Sequence, residues 1–237
     1  VAIGADLCTL QEAKDFVEEV PEKLPFMATS CCPAWSSMAK KLFPQQAECI
    51  SMALTPMVLT GRLLKKQHPG CMVAFIGPCS AKKLEASRTS IRSDVDFVLT
   101  FEEVFGMFEA KNVDFEQLEE ADVMHGASGD ARGFAVSGGV ASAVVNCAKK
   151  IYPDREIKVE RAEGLDNCRK LLTMAKAGKY NGYLLEGMAC PGGCVAGVGT
   201  VQPIAKSASY IALHKKISTH QHAYESDYKE ILGEIEE

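Results

Sequence analysis

Cysteine thiols in three short motifs are the side chains of this sequence best suited to chemistry. Cys32 lies in TSCCPAW, Cys79 in FIGPCSAKK, and Cys190 and Cys194 in EGMACPGGC, each beside proline or glycine. Thiolates are soft metal ligands, and four of them match the needs of a [4Fe–4S] cube. Because Cys31 adds a fifth thiol directly beside Cys32, redox chemistry at a metal cluster is the leading interpretation.

Spacing alone leaves other thiol chemistry open. Structural zinc uses the same ligand type but usually as two Cys-x-x-Cys knuckles, and this sequence contains no such pair. The Gly-Pro-Cys turn is weak evidence, and the Cys-x3-Cys loop is stronger but ambiguous, so the odds of an iron–sulfur cluster are about even. The cysteines without motif context are predicted to be small core hydrophobes: Cys8, Cys49, Cys71, Cys147 and Cys168.

Length and composition limit the class of protein. The 237 residues suffice for one large domain or two modest lobes, and 47% hydrophobic with 24% charged residues is an ordinary globular composition. The net charge of -5 argues against nucleic acid as the main partner. No apolar run approaches the roughly 20 residues that cross a bilayer, and no signal peptide opens the sequence. We therefore expect a cytoplasmic protein with reduced or metal-bound thiols and no membrane partner.

Strand-like and helical segments alternate, which predicts an α/β fold. The apolar segments FMATS, MVAFIG and YNGYLLEG each end just before a cysteine motif. VDFVLT and EIKVERAE are two further predicted strands. Because open parallel sheets bind ligands at the carboxyl ends of their strands, the three motifs are expected to meet at such an edge.

Helices are predicted between these strands. Thr9 and Glu12 resemble a capping box that would begin a helix reaching about Val20. Pro33 suits the first turn of a helix over PAWSSMAKKLF, and another helix is predicted from Pro56 to His68. FEEVFGMFEAK, GVASAVVNCAKKIY and LDNCRKLLTMAKAGK are also predicted to be helical.

The predicted architecture is two βα lobes with mainly parallel sheets, a cluster site in the cleft between them, and a C-terminal helical tail. The lobes would cover residues 1–120 and 121–206, and the amphipathic tail residues 207–237. A loop rich in glycine, serine and alanine is expected from about residue 122 to 139.

The three motifs together carry a specific resemblance. TSCCPAW, FIGPCSAKKLE and EGMACPGGC, in this order, resemble the signature motifs of the [FeFe]-hydrogenase catalytic domain. ADLCTLQEAKDF, SDVDFVLTFEEV and SGGVASAV resemble further family segments, so the likeness covers most of the chain, from its start to GVGTVQP. It implies the family's H-cluster, a [4Fe–4S] cube joined to a diiron subcluster with CO, cyanide and a bridging dithiolate.

The resemblance implies a ligand set by motif position. Four thiols would hold the cube: Cys32, Cys79, Cys190 and Cys194. Cys194 would also bridge to the diiron subcluster. Lys82 matches a lysine that donates a hydrogen bond to cyanide, Met188 matches a methionine packed beside the diiron unit, and Pro78 completes the cofactor-binding residues.

Cys31 matches the family's proton-transfer thiol. Splitting H2 gives a hydride and a proton, so a base must stand near the open iron. The implied route continues through Glu12, Ser51 and Asp15, where Asp15 replaces a more usual glutamate. One helix face could carry both acids. Without the resemblance, the commoner interpretation is two acids on a solvated helix surface and a loop hydroxyl.

Departures from the family pattern indicate a divergent subgroup. Gly77 stands where many members have methionine, Ala34 replaces a frequent glycine, and Thr55-Pro56-Met57 replaces a common Ser-Pro-Gln. GVGTVQP replaces a tighter glycine run after the third motif. These changes bear on catalytic rate and direction more than on cluster binding.

The implied function is reversible H2 oxidation and proton reduction, with ferredoxin as electron partner and hydrogenase maturation proteins as assembly partners. The sequence contains no C-x-x-C-x-x-C-x-x-x-C-P run for accessory clusters. It matches the C-terminal portion of the family's domain, so an incomplete fragment, inactive alone, is expected. The alternative is a relative that senses H2 or only binds an iron–sulfur cluster, with little or no turnover.

Overall fold

Two separate parallel sheets organise the molecule. The computed structural model describes residues 1–119 and 125–235. Its strands are β1 (Met27–Ala28), β2 (Ala74–Gly77), β3 (Phe97–Thr100), β4 (Lys158–Glu163) and β5 (Tyr183–Met188). One sheet has the order β1-β5-β4, and the other pairs β2 with β3. The predicted α/β class with parallel sheets is therefore confirmed.

Helices connect and flank these strands. They are α1 (Ala2–Glu19), α2 (Pro33–Leu42), α3 (Pro56–Gln67), α4 (Ala81–Ala86), α5 (Phe101–Ala110), α6 (Gly129–Arg132), α7 (Gly139–Ile151), α8 (Leu165–Lys176), α9 (Ile204–Lys216) and α10 (Leu232–Ile235). Proline opens α2 and α3, where a missing N–H removes no intrahelical hydrogen bond. Over the described ranges, no helix has the length and apolarity required to cross a membrane.

The predicted start of the first helix is wrong. α1 begins at Ala2 rather than at Thr9. The Thr9 hydroxyl donates to the carbonyl of Ala5 at 2.8 Å, one turn back inside the helix, so it does not cap a helix end. Threonine side chains make this internal bond as readily as a capping bond, and the capping-box pattern did not distinguish the two.

The C-terminal tail consists of several short helical elements rather than one helix. α9 crosses the expected boundary at residue 206 and ends at Lys216, and short 3-10 turns at Ala223–Glu225 and Lys229–Ile231 precede α10. The intervening segment bonds to the rest of the molecule instead, since His222 Nδ1 lies 2.8 Å from a carboxylate oxygen of the buried Asp130. These tertiary contacts replace the hydrogen bonds of a longer helix.

Strands that are far apart in the chain pair with one another in the larger sheet. β1 precedes residue 120 but pairs with β5, with Met27 opposite Leu184. β2 pairs with β3 in the other sheet, so the first 119 residues contribute to both sheets. The boundary at residue 120 lies outside the described residues and stays a prediction. The predicted loop lies partly outside them too, and its described part contains α6.

The three-stranded sheet is covered on both faces. On one face, the indole of Trp35 packs so closely on Gly187 that a Cβ there would lie 2.3 Å from the ring. The Trp35 Nε1–H donates to the carbonyl of Thr29 at 2.9 Å, which satisfies its polar group. On this face Trp35 and Leu172 pack around Leu185 of β5, and on the other face Phe16 and Val144 pack around Leu184.

The two-stranded sheet leaves much apolar surface exposed. α5, which follows β3 directly, has no buried residue. The exposed apolar side chains in this region include Met72, Ile76, Leu84, Phe97, Phe105, Met107, Phe115 and Leu118. Phe115 contacts the rings of Phe105 and Phe108 on α5, so part of this exposed apolar surface is shared between neighbouring rings.

Candidate metal centre and proton route

Each cysteine motif follows the carboxyl end of a parallel strand. β1 precedes Cys32, β2 precedes Cys79, and β5 precedes Cys190. The chain turns at these ends, where open parallel sheets bind ligands. Cys32 is the N-cap of α2, at the end of the helix whose first backbone N–H groups have no intrahelical partner.

The thiols of the three motifs lie close enough to influence one another electrically. Burial raises the pKa of Cys194 to about 12, and the negative charges of Cys32, Cys79 and Cys190 raise it further. The positive charge of Lys82 lowers it in part. Burial, Cys32 and Cys79 likewise raise the pKa of Cys190. Thiols that disfavour one another's thiolate forms need a cationic centre to become ligands together.

The chemistry of the four motif thiols is compatible with an iron–sulfur cluster. Thiolates are soft ligands, and a [4Fe–4S] cube takes one at each of its four irons. Within the described ranges, no group of three or more His, Cys, Asp or Glu side chains is placed to hold a single metal ion. The number and type of the donors therefore fit those that a cube requires.

Two glycines shape the loop of the third motif. Gly192 and Gly193 have φ angles of +97° and +89°, in the region that glycine adopts without strain. A Cβ on Gly193 would also lie 2.5 Å from the backbone nitrogen of Ser137. The N–H of Gly192 donates to Glu163 at the end of β4 at 2.6 Å, so the neighbouring strand anchors this loop.

Pro78 and Met188, the predicted cofactor-binding residues besides Lys82, lie at strand ends. The carbonyl of Pro78 accepts a hydrogen bond from Gly199 at 3.0 Å, and a Cβ on Gly197 would lie 2.4 Å from the same oxygen. The glycine segment after the third motif thus packs against the second motif. Met188 is the last residue of β5, 2% exposed, two residues before Cys190.

Lys82 is buried beside the first motif, with 8% exposure. Its Nζ lies 2.7 Å from Glu85 Oε2, and it donates to Thr55 Oγ1 at 3.0 Å and to the carbonyl of Cys31 at 3.4 Å. A buried ammonium is stable only when it is paired, and Glu85 supplies the pair. Sequence analysis missed Glu85, although its spacing from Lys82 on a helix was the available signal.

Glu12 is completely buried, which contradicts the interpretation of a solvated surface acid. Its Oε1 accepts hydrogen bonds from the backbone N–H of Ser30 at 3.0 Å and the Ser30 hydroxyl at 3.3 Å. Burial raises the pKa of Glu12 to about 7, and Ser30 and the nearby Ser51 hydroxyl oppose this rise. Glu12 can therefore hold or release a proton near neutral pH.

Cys31 lies within electrostatic reach of Glu12. Burial raises the pKa of the Cys31 thiol well above its ordinary value, and the negative charge of Glu12 is the next cause. The Cys31 thiol is consequently a neutral S–H group in the absence of a cation. Such a group can donate a proton and accept one back, as a relay requires.

Ser51 and Asp15 lie beyond Glu12. Ser51 is buried, and its Oγ accepts from the N–H of Ala53 at 3.2 Å. Asp15 is half-buried, accepts from Gln11 Nε2 at 2.8 Å, and is close enough to Glu12 to raise its pKa slightly. Sequence analysis missed Ser30, whose place directly before the cysteine pair was the available signal.

Comparison with known proteins gives one family. The model for "Iron only hydrogenase large subunit, C-terminal domain" matches residues 1–198. An NADP-reducing hydrogenase subunit of Solidesulfovibrio fructosivorans is 31% identical over 83% of this chain and 42% of its own length. A probable cytosolic Fe-S cluster assembly factor of Drosophila virilis is 31% identical over 85% of this chain and 53% of its own length. The chain thus spans about half the length of these relatives.

The solved structures share the fold. An apo [FeFe]-hydrogenase variant from Chlamydomonas reinhardtii superposes with a TM-score of 0.78 at 22% identity, covering 98% of this chain and 78% of that one. Its likeness concerns the mixed α/β fold with short parallel sheets. The relatives include hydrogenases and iron–sulfur assembly factors alike. The chain belongs to the family of iron-only hydrogenase large subunits and corresponds to their C-terminal domain.

Proposed function

We propose that this chain is the C-terminal part of an [FeFe]-hydrogenase catalytic domain that interconverts H2 with protons and electrons. The cube would be held by Cys32, Cys79, Cys190 and Cys194, with Cys194 bridging to the diiron subcluster. When bound, the H-cluster supplies an open iron for H2 and a path for electrons. The mutual repulsion of these thiols, which a cationic core relieves, supports this ligand set.

The observation that carries the proposal is a buried carboxyl with a pKa of about 7 close to a half-buried thiol whose own pKa is raised. A cube alone requires neither group, whereas H2 chemistry moves protons between a buried site and solvent at every turnover. Cys31 would take up or deliver the proton, and Glu12 would exchange it with Cys31. Ser51 and Asp15 would carry it onward to solvent, while Ser30 orients the Glu12 carboxyl.

The surroundings of Lys82 support the same function. Its ammonium is almost fully buried, neutralised by Glu85 and held by Thr55. Burying such a charge costs several kcal/mol unless a partner compensates, and a cube alone gives no reason for it. In the proposed enzyme Lys82 would donate a hydrogen bond to a cyanide ligand, and Met188 and Pro78 would pack beside the diiron unit.

Partners and location are proposed on chemical grounds. Ferredoxin would carry electrons to and from the cube, and hydrogenase maturation proteins would insert the diiron subcluster. The ten cysteines are all free thiols, which agrees with a reducing cytoplasm. The net charge of -5 favours neither nucleic acid nor anionic membrane surfaces as partners.

A second candidate function is an iron–sulfur-binding relative, or an H2 sensor, with little or no turnover. The likeness to the Drosophila virilis assembly factor favours this candidate. So do Gly77 and Met57, which remove family side chains next to the proposed diiron site. In that case the Cys31–Glu12 pair would have no catalytic role.

Infrared spectroscopy of the full-length protein after maturation separates these functions. Bands of CO and cyanide, together with H2 evolution from reduced ferredoxin, are expected for the enzyme. A bound cube without those bands would contradict the hydrogenase proposal and favour the assembly-type relative. Full bands with very slow turnover would favour the sensor.

Replacing Cys31 by alanine tests the proton role. Loss of a positioned proton-transfer group should lower H2 evolution by about 10²–10⁴-fold. The infrared bands should persist, because Cys31 is not among the proposed ligands. Cys71→Ala is the matched control, since Cys71 is also half-buried but lies in no motif. A Cys31→Ala enzyme as fast as the Cys71→Ala enzyme would refute the role.

A further inference from the structure

A cavity lined by both polar and apolar side chains lies beside the proposed proton route, between α2, α3 and α4. Its volume is about 270 Å³. Its floor is formed by the buried hydroxyls of Ser30, Ser36, Ser51 and Thr55, and its mouth by the exposed Lys40, Arg88 and Ser90. Asp15 lies on α1 and is not among the lining residues, whereas the residues at the mouth lie on α2 and just after α4.

The floor of the cavity connects with Glu12. The Ser30 hydroxyl lies 3.3 Å from Glu12 Oε1 and 3.0 Å from the carbonyl of Ala53, and both Ser30 and Ala53 line the cavity. One hydroxyl proton can serve only one of these acceptors at a time, so its rotation links Glu12 to the cavity. Glu12 Oε2 is buried with no hydrogen-bond partner among the described residues.

The cavity has room for water, and the hydroxyl groups at its floor can bind it. A water molecule occupies about 30 Å³ in the liquid and is retained where two to four polar groups surround it. Ser36 is 7% exposed, and its hydroxyl makes only a long 3.5 Å contact with the carbonyl of Pro33 within the described part of the chain. Its hydrogen-bonding capacity is therefore available to water in the cavity.

A proton carrier stands at the mouth. Burial and the positive charge of Arg88 lower the pKa of Lys40, so Lys40 gives up a proton more readily than an ordinary lysine. Arg88 is itself held by the hydroxyl of Ser37 at 3.0 Å. Among residues 1–119 and 125–235, no carboxylate pairs with Lys40. Its Nζ donates only a long 3.7 Å contact to the Met52 sulfur in the cavity wall, so the ammonium can exchange protons with water.

We propose that this cavity is a second proton entrance, in which water and the Ser36 and Ser30 hydroxyls connect Lys40 to Glu12. The inference rests on the proposed hydrogenase function. A proton leaves the Lys40 ammonium, passes along the water and hydroxyl groups to the Glu12 carboxylate, and solvent reprotonates Lys40. Asp15 is one methylene shorter than the usual glutamate, and it accepts a hydrogen bond from Gln11. A parallel route would make the supply of protons to Glu12 less dependent on Asp15.

Proton exchange at Glu12 tests the proposal directly. Near pH 6, below its pKa of about 7, protonated Glu12 has an infrared carbonyl band that shifts in D2O and disappears in Glu12→Gln. The rate of this shift is measured in the metal-free full-length protein for Asp15→Asn, Ser36→Leu and the double variant. Ser36→Leu fills the cavity. Parallel routes predict less than about twofold slowing for each single variant and about a hundredfold for the double.

Two further variants keep the test decisive. Lys40→Met changes an exposed residue, cannot disturb the core, and should slow exchange mainly in the Asp15→Asn background. Ser142→Leu places the same side chain in a different groove, lined by Gly138 and Arg161, and should change nothing. The proposal is overturned if Asp15→Asn alone slows exchange at Glu12 as much as the double variant does. It is also overturned if neither Ser36→Leu nor Lys40→Met slows exchange any further when it is added to Asp15→Asn.

The exchange measurement is independent of the proposed activity. It needs no H-cluster and no H2 turnover. Absence of CO and cyanide bands after maturation would remove the hydrogenase function and leave the exchange rates as measured. If the protein shows those bands but Asp15→Asn alone slows exchange as much as the double variant, the second proton entrance is refuted and the hydrogenase function is not.

Discussion

The two sheets differ in how completely other elements cover them. Leu184 and Leu185, on opposite faces of the central strand β5, are 0% exposed. Ile76 and Phe97, on the two strands of the smaller sheet, are 46% and 53% exposed. Both sheets deliver cysteine motifs at their strand ends. The proposed site therefore joins a well-packed scaffold, which supplies three of the four proposed cube ligands, to a thinly packed one that supplies Cys79.

The largest expected difference is in the cost of removing an aromatic side chain. Trp35→Ala should lower the free energy of unfolding by about 3–5 kcal/mol, because a fully buried ring leaves a cavity. Phe105→Ala on α5, where the ring is 46% exposed, should cost less than about 1 kcal/mol. Urea denaturation followed by circular dichroism measures both costs. Tryptophan fluorescence would not serve, because Trp35 is the only tryptophan and one variant removes it. Equal costs would show that the sheets are equally packed.

Stability should depend on pH through the helix that covers the larger sheet. Glu12 on α1 has its pKa raised from 4.5 to about 7, so folding favours its protonated form. Its contribution is fully present below about pH 4.5 and is lost as the pH rises to about 7, a change of about 3 kcal/mol. Asp6, raised from 3.8 to about 6, adds to the same slope.

Glu12→Gln should flatten much of this slope and leave the part due to Asp6. Glu103→Gln is the matched control, because Glu103 lies on exposed α5 and its pKa is lowered by Lys83 rather than raised by burial. Urea midpoints between about pH 5 and pH 8 give the measurement. A wild-type stability that rises over this range would contradict the burial of Glu12.

Replacing a glycine by alanine should have opposite effects on stability in the two regions, of intermediate size. Gly187→Ala should destabilise by about 1–3 kcal/mol, since the new Cβ would meet the Trp35 ring at 2.3 Å. A Cβ at Gly106 in α5 meets nothing within 4 Å, so Gly106→Ala should stabilise by up to about 1 kcal/mol through helix propensity. Thermal unfolding of the two variants side by side would reveal the difference, and destabilisation by Gly106→Ala would indicate hidden packing around α5.

The smallest expected effect on stability concerns the exposed face itself. Phe97→Ser should change the free energy of unfolding by less than about 0.5 kcal/mol, because the ring is already half exposed. It should reduce self-association, which exposed apolar surface promotes. Light scattering over a concentration series measures the second effect. A large loss of stability would mean that Phe97 packs against more than its exposure indicates.

Sequence patterns alone located the strand ends and the cysteines that follow them. An apolar, β-branched run stopped by glycine and proline is a local signal, and β2, which ends at Gly77 before Pro78, has it. The other two motif strands were predicted from short apolar runs that precede the cysteines. The starts of α2 and α3 were equally predictable, since Pro33 and Pro56 have a backbone angle already suited to a first helical turn.

Only the tertiary structure decided which side chains are buried and which residues they contact. Glu12 has the local pattern of a surface helix acid, yet Ser30 and the elements packed on α1 remove it from water. The pairing of β1 with β5, the anchoring of a glycine by Glu163 and the cavity between α2, α3 and α4 all join segments distant in the chain. Residue type and periodicity report local backbone preference, whereas solvation and pKa depend on what the fold brings alongside.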